Sequence, residues 1–212
     1  GTYNKPELGS ISRNIGDNNQ LSANIVQEID GIRDELGLPT VTELDQAPLF
    51  KTSLHQKPEN AAALIYAGGY LDYLAIDRDQ YDIVGITGNS MGWYTAMACA
   101  GCWDVDTSTR LVTNMAQLTA SGEGAQFIYP VVDNEWRPSA ELKAAIDAQL
   151  ARFPGDLMMS IQYGGYAVIA GSTEACNAAV AALPRVDDRF PMVLPGHAAF
   201  HTHFMNAASQ QA

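Results

Sequence analysis

Residues 82–101 read DIVGITGNSMGWYTAMACAG. With Tyr81 in front, YDIVGIT is a short β-branched run and predicts a core strand. The second half, SMGWYTAMACAG, is rich in small apolar residues and predicts a helix. Between them stands Gly88-Asn89-Ser90-Met91-Gly92, a G-x-S-x-G. In a strand–turn–helix setting this motif forms a nucleophile elbow. The chain turns sharply there, the serine takes a strained backbone angle, and side chains two residues to either side would collide, so glycine is expected at both places. The serine hydroxyl then sits at a helix N-terminus, where N–H groups and the helix dipole favour a developing oxyanion. The Met91 N–H is placed to donate to it. A strand–helix turn with an incidental serine would carry the same letters, so the motif needs a base elsewhere in the chain.

Four histidines are available. His55, in LFKTSLHQKP, precedes a proline-containing turn and is expected at the surface. The others, His197, His201 and His203, cluster in MVLPGHAAFHTHFM, just after the last expected strand. H-x3-H-x-H spacing has the look of a zinc ligand set. No Asp, Glu or Cys stands beside it to complete one, and the intervening residues are apolar, so no metal is expected.

Outward from the elbow, residues 1–20 are polar, with no clear period, and read as loop or frayed terminus. Apolar residues at Ile25, Ile29, Ile32 and Leu36 make a helical stripe ending near Gly37 and Pro39. PENAAALIYAGGYLDYLAI predicts a buried helix, and DVDTSTRLVTNMAQLTA another, with Asp104 or Asp106 as its N-cap. After SGEG the order changes to a strand in AQFIYPVV, a helix in SAELKAAIDAQLARF and two strands around Gly164 and Gly165. A helix capped by Ser172 and a last strand in RFPMVLP complete a β-α-β-β-α-β pattern over residues 124–195, which is ferredoxin-like.

At 212 residues the chain fits one domain, or one domain with a small subdomain. Its net charge of −12, from 24 acidic against 12 basic side chains, argues against nonspecific nucleic-acid binding. No apolar run approaches the ~20 residues that span a bilayer, and GTYNKPELGS has no signal-peptide core, so no membrane partner is expected. Three cysteines, Cys99, Cys102 and Cys176, do not make a disulfide framework, which favours a reducing cytoplasm. Cys99 and Cys102 form a C-x-x-C, read here as packing residues of an apolar helix rather than a redox pair.

GNSMGWYTAMACAGCWDVDTSTRLV resembles the G-H-S-x-G-E block of malonyl-CoA:acyl-carrier-protein transacylases and polyketide-synthase acyltransferase domains. That block continues, as here, through an alanine-rich helix, A-G, and a second helix containing R-L-V. PGHAAFHTHFMNAA is similar to the family's segment around its catalytic histidine, and IQYGGYAVIAGSTEAC to its N-x-P-x-x-x-V-I-S-G stretch. The matched blocks run in family order from about residue 49 to 208.

The resemblance implies a parallel-sheet, hydrolase-like acyltransferase body over residues 1–122 and 191–212, with an inserted ferredoxin-like subdomain over 123–190. It implies Ser90 as nucleophile and His201 as general base, in a dyad whose histidine is oriented by backbone carbonyls. Met91 would supply half of the oxyanion hole, and Asn89, Met115, Gln162 and Phe200 would line the substrate pocket. His197 and His203 are then expected to be dispensable for acylation within about tenfold. The implied reaction moves an acyl group from acyl-CoA to acyl carrier protein, in fatty-acid or polyketide synthesis, with no cofactor.

Departures from the family pattern are specific. Asn89 stands for its histidine and Trp93 for its glutamate. No G-Q-G-S-Q loop lies in the first 50 residues, and the family's C-terminal elements after the histidine have no counterpart, so either these segments lie outside this sequence or the chain is a divergent, shortened member. Met115 occupies the position of the arginine that pairs with the malonyl carboxylate, which points to acetyl or another uncharged acyl group. The alternatives are an acyl-carrier-protein thioesterase and an inactive scaffold that binds carrier protein.

Overall fold

A computed structural model describes residues 2–16, 20–120 and 122–212, and the chain divides into two compact units, Gly1–Gln117 and Leu118–Ala212. The first unit is helical. Its helices are α1 (Ser10–Ile15), α2 (Gln20–Glu35), α3 (Val41–Asp45), α4 (Thr52–His55), α5 (Pro58–Leu74), α6 (Gly92–Cys99) and α7 (Val105–Ala120), whose last turn crosses the division. Helix α5 is apolar nearly all round and buries Ala61, Ala62, Ala63, Leu64, Tyr66, Ala67 and Leu71. The apolar stripe of α2, Ile25, Ile29 and Ile32, is buried as its spacing predicts. Asp104 accepts from the Thr107 N–H at 2.8 Å and caps α7, which holds its carboxyl below the usual range.

The amino-terminal segment is not a frayed loop. A short 3₁₀ turn over Lys5–Glu7 and helix α1 are present, with Tyr3 and Ile11 buried. The reason lies 33 residues away: the buried Asp45 accepts from Ser12 N at 2.8 Å and Ser12 Oγ at 2.7 Å, and from Ile11 N at 3.2 Å. A carboxylate from α3 thus satisfies the orphan donors at the start of α1, where no local cap exists. Residues 17–19, also expected as loop, and Ser121 of SGEG lie outside the described residues.

His55 is not a surface residue either. It is buried, stacked on Phe50 with ring centroids 5.1 Å apart, and bonded through Nε2 to Leu44 O at 3.0 Å. Its Nδ1 accepts from the Lys51 N–H at 3.0 Å, so the ring is fully occupied as a structural link.

The second unit holds the only sheet among the described residues. Strands β1 (Ala125–Pro130), β2 (Leu157–Tyr163), β3 (Tyr166–Gly171) and β4 (Met192–Val193) are ordered β2-β3-β1-β4, every pair antiparallel. Helices α8 (Ala140–Arg152) and α9 (Thr173–Ala182) connect β1 to β2 and β3 to β4, and α10 (Asn206–Gln211) ends the chain. Phe127 and Tyr129 of β1 and Ile169 of β3 pack with Ile146 of α8 and Ala179 of α9 in a core of their own. Ser172 caps α9 by accepting from Ala175 N at 3.1 Å.

No parallel sheet is present among the described residues. The expected strand at 81–87 is without a ladder partner there, and Val84 is 99% exposed. β-Branched composition sets the local preference for an extended chain, but a strand exists only when another backbone pairs with it.

Candidate active site

The turn at Ser90 is as tight as Gly88 predicts, whereas Gly92 departs from the expectation. Ser90 has φ +54, in the left-handed region that a residue with a side chain seldom occupies. The turn is closed by Gly92 N donating to Asn89 O at 2.8 Å and Trp93 N to Ser90 O at 3.0 Å, and α6 begins at once. A Cβ on Gly88 would lie 2.2 Å from the backbone carbon and oxygen of Gly92, so position 88 admits only glycine. A Cβ on Gly92 would meet nothing within 4 Å. The two glycines therefore do different work: Gly92 is the backbone that Gly88 approaches, and it needs no glycine for its own sake. Met91 stands at the head of α6 in helical conformation, Asn89 is exposed, and Trp93 points largely into solvent.

Met115 lies on α7, half-buried. On the same helix Arg110 is held by Glu35 of α2 at 2.7 Å and by Asp106 one turn back at 3.0 Å. These two carboxylates raise the guanidinium's pKa and leave it committed away from position 115. In the C-x-x-C, Cys99 is buried and burial raises its thiol pKa, whereas Cys102 lies beyond α6 and is exposed. The packing assignment holds for Cys99 and not for Cys102. All three cysteines are free thiols.

His201 belongs to the second unit. It too is left-handed, at φ +61, in the loop between β4 and α10, and partial burial lowers its pKa. Around it the structure places a polar network that spacing alone does not show. The carbonyl of Phe200 accepts from Ser160 Oγ at 2.8 Å and from Gln126 Nε2 at 3.3 Å. Gln126 Nε2 also donates to Ser160 Oγ at 2.8 Å, and Gln126 Oε1 faces His197 Nδ1 at 2.9 Å. Gln126 is a buried polar residue of β1, and Ser160 sits where the β2–β3 register shifts between Met159 and Ile161. His197 packs edge-on against Phe200, and burial pushes its ring down to about 4.

Gln162, expected in the pocket, is exposed on β2 opposite Ala167. His203 is exposed in a 3₁₀ turn and stacks on Phe204. Among the described residues no group of three His, Cys, Asp or Glu side chains could hold a metal ion. No helix there is long and apolar enough to cross a membrane.

No protein-family model matches this sequence, and no curated protein matches it. Solved structures do. The malonyl-CoA:ACP transacylase of Synechocystis sp. PCC 6803 aligns with a TM-score of 0.74 at 21% identity, covering 96% of this chain and 62% of that one. A malonyl-transacylase solved in complex with a type II polyketide-synthase acyl-carrier protein aligns at 0.66 and 22%, covering 89% and 60%. The acyltransferase domain from the second module of the salinomycin polyketide synthase aligns at 0.67 and 17%, covering 94% and 44%. The chain thus spans about three fifths of the length of the two transacylases. Over that span it has the α/β fold of malonyl-CoA:acyl-carrier-protein transacylases and polyketide-synthase acyltransferase domains.

Proposed function

We propose that this protein is a divergent acyltransferase that moves a short acyl group from CoA to acyl carrier protein through an acyl-serine on Ser90. The observation that carries this reading is the backbone of Ser90, left-handed at φ +54 just before α6, over a Gly88 that no other residue can replace. Strain of this kind persists only where surrounding structure enforces it, and it clusters at active sites.

In the proposed reaction, Ser90 Oγ attacks the thioester carbonyl of acyl-CoA while His201 takes the hydroxyl proton. The tetrahedral oxyanion is held by the Met91 N–H at the start of α6. As it collapses, the C–S bond breaks and the CoA sulfur leaves with the proton from His201, giving an acyl-serine ester. A carrier-protein phosphopantetheine thiol then gives its proton to His201 and attacks the ester, which returns Ser90 to its hydroxyl form. The lowered pKa of His201 favours the neutral imidazole that a base must be. Met115 lines the acyl pocket in this reading. With Arg110 held by two carboxylates, Met115 presents an apolar wall, so an uncharged acyl group is preferred to malonyl.

We also read 123–190 as the ferredoxin-like subdomain of this family, and 1–122 with 191–212 as its acyltransferase body. In this reading the protein works in a reducing cytoplasm, with acyl-CoA and acyl carrier protein as partners and no cofactor. Incubation with acetyl-CoA and then with carrier protein tests the assignment. An acyl adduct on Ser90 that passes to the carrier thiol is the expected result. Release of the acyl group to water alone would make the protein a thioesterase, and absence of any adduct would leave only a carrier-binding role.

A further inference from the structure

We propose that Ser160 and Gln126 are positioning residues for the His201 imidazole, acting through the Phe200 carbonyl, with His197 setting the orientation of Gln126. The inference rests on the reading of His201 as the general base.

The donor and acceptor inventory fixes the direction of the whole network. A carbonyl only accepts, so the Ser160 hydroxyl proton points to Phe200 O. The hydroxyl lone pair is then open to the Gln126 amide, whose two N–H bonds serve Ser160 Oγ and Phe200 O. That leaves Gln126 Oε1 towards His197, so His197 Nδ1 must carry the proton and donate to it at 2.9 Å. Burial keeps the His197 ring neutral, which is the state such a single donor requires. Were the glutamine amide turned over, its oxygen would face the Phe200 carbonyl and the network would lose two bonds.

The peptide bond between Phe200 and His201 explains why this matters to the base. Its carbonyl oxygen and the His201 nitrogen share one plane, so holding the oxygen holds the plane about which the His201 φ is measured. At φ +61 His201 is in a conformation that an ordinary residue would leave for the right-handed or extended regions. Leaving would turn the rest of the residue by roughly 120° about N–Cα and carry the imidazole away. Two donors from two strands, Gln126 of β1 and Ser160 of β2, hold that plane, so the imidazole keeps its place as long as the chain after His201 is also tied back. Ser160 lies at the register shift of the β2–β3 ladder, an irregularity of the kind found next to functional loops. The same loop is pinned on either side by Ala199 N to Glu123 O at 2.9 Å and Thr202 Oγ1 to Ala199 O at 2.6 Å.

The test is the rate of acyl-enzyme formation from acetyl-CoA in the full chain, followed by intact mass, for Ser160→Ala, Ser160→Thr, His201→Ala and the Ser160→Ala/His201→Ala pair. Ser160→Ala should slow acylation at saturating acetyl-CoA about tenfold, with half-saturation unchanged, because a misplaced base costs rate and not binding. Ser160→Thr, which keeps the hydroxyl, should restore it. In the His201→Ala background Ser160→Ala should add nothing. An unchanged rate in Ser160→Ala, or an equal loss in both backgrounds, would overturn the proposal while leaving the base in place. A His201→Ala protein that acylates at the full rate would remove the base reading and this inference with it. Long-range ¹H–¹⁵N spectra of His197 should show the Nδ1–H tautomer, and the Nε2–H tautomer would overturn its part in the network.

Discussion

Ser90 and His201 are both non-glycine residues at positive φ, and each stands next to a carbonyl or N–H that other residues hold in place. Steric consequences at the elbow are unequal. Gly88→Ala puts a methyl into the Gly92 backbone and should cost about 2 kcal/mol or more, seen as a lowered melting temperature. Gly92→Ala, at a helical position with open space, should leave stability within about 1 kcal/mol or raise it. Equal losses from the two would show that the turn is not built on the close approach described. At position 115 the expectation concerns substrate. Met115→Arg should move acyl-enzyme formation from acetyl-CoA towards malonyl-CoA, since a guanidinium fork can pair with the malonyl carboxylate. A native preference for malonyl, unaltered by this change, would mean that another cation meets the carboxylate.

Among the elements, those with strong local signals were legible in the sequence. The stripe of α2, the apolar run of α5, the Asp104 cap of α7 and the Ser172 cap of α9 are all set by residues within a turn or two of each other. What the sequence hid was set by distant partners. Helix α1 depends on Asp45, His55 is buried because Leu44 and Lys51 satisfy its ring, and the strand-like 81–87 segment has no ladder partner among the described residues. Arg33 belongs with these. It sits on the α2 stripe, fully buried, its guanidinium bonded to Pro39 O, Glu59 O and Asn60 Oδ1, and burial lowers its pKa to about 10. At the site, G-x-S-x-G and A-F-H were legible as letters, while Gln126 and Ser160 carry no motif and appear only through β1 and β2. The α1 cap makes a direct prediction: Asp45→Ala should cost about 1–3 kcal/mol, because it leaves the buried Ile11 N–H and the part-buried Ser12 N–H unpaired. A change under about 0.5 kcal/mol in urea unfolding would show that α1 does not rest on this carboxylate.

At the scale of the whole molecule, pH couples to folding through the second unit. His197 titrates near 4 when folded and near 6.5 when free, so between those values the unfolded chain holds more protons than the folded one. Stability should therefore be full above pH 6.5 and fall as pH drops towards 4, by about 3 kcal/mol at most from this residue. His197→Asn, which can keep a donor towards Gln126 while removing the titration, should flatten that part of the curve. An unchanged slope in the variant would place the acid sensitivity elsewhere. Activity should follow the same direction through His201, whose lowered pKa moves the acidic limb of the acylation profile below 6.5.

Acyl transfer itself is tested most directly by intact mass after incubation with acetyl-CoA. The native chain should gain one acetyl group, mapped to Ser90 by peptide analysis, and lose it to a carrier-protein thiol. His201→Ala should acylate roughly 10²–10⁴ times more slowly, and Ser90→Ala should not acylate. An acetyl adduct that persists in Ser90→Ala would contradict the account.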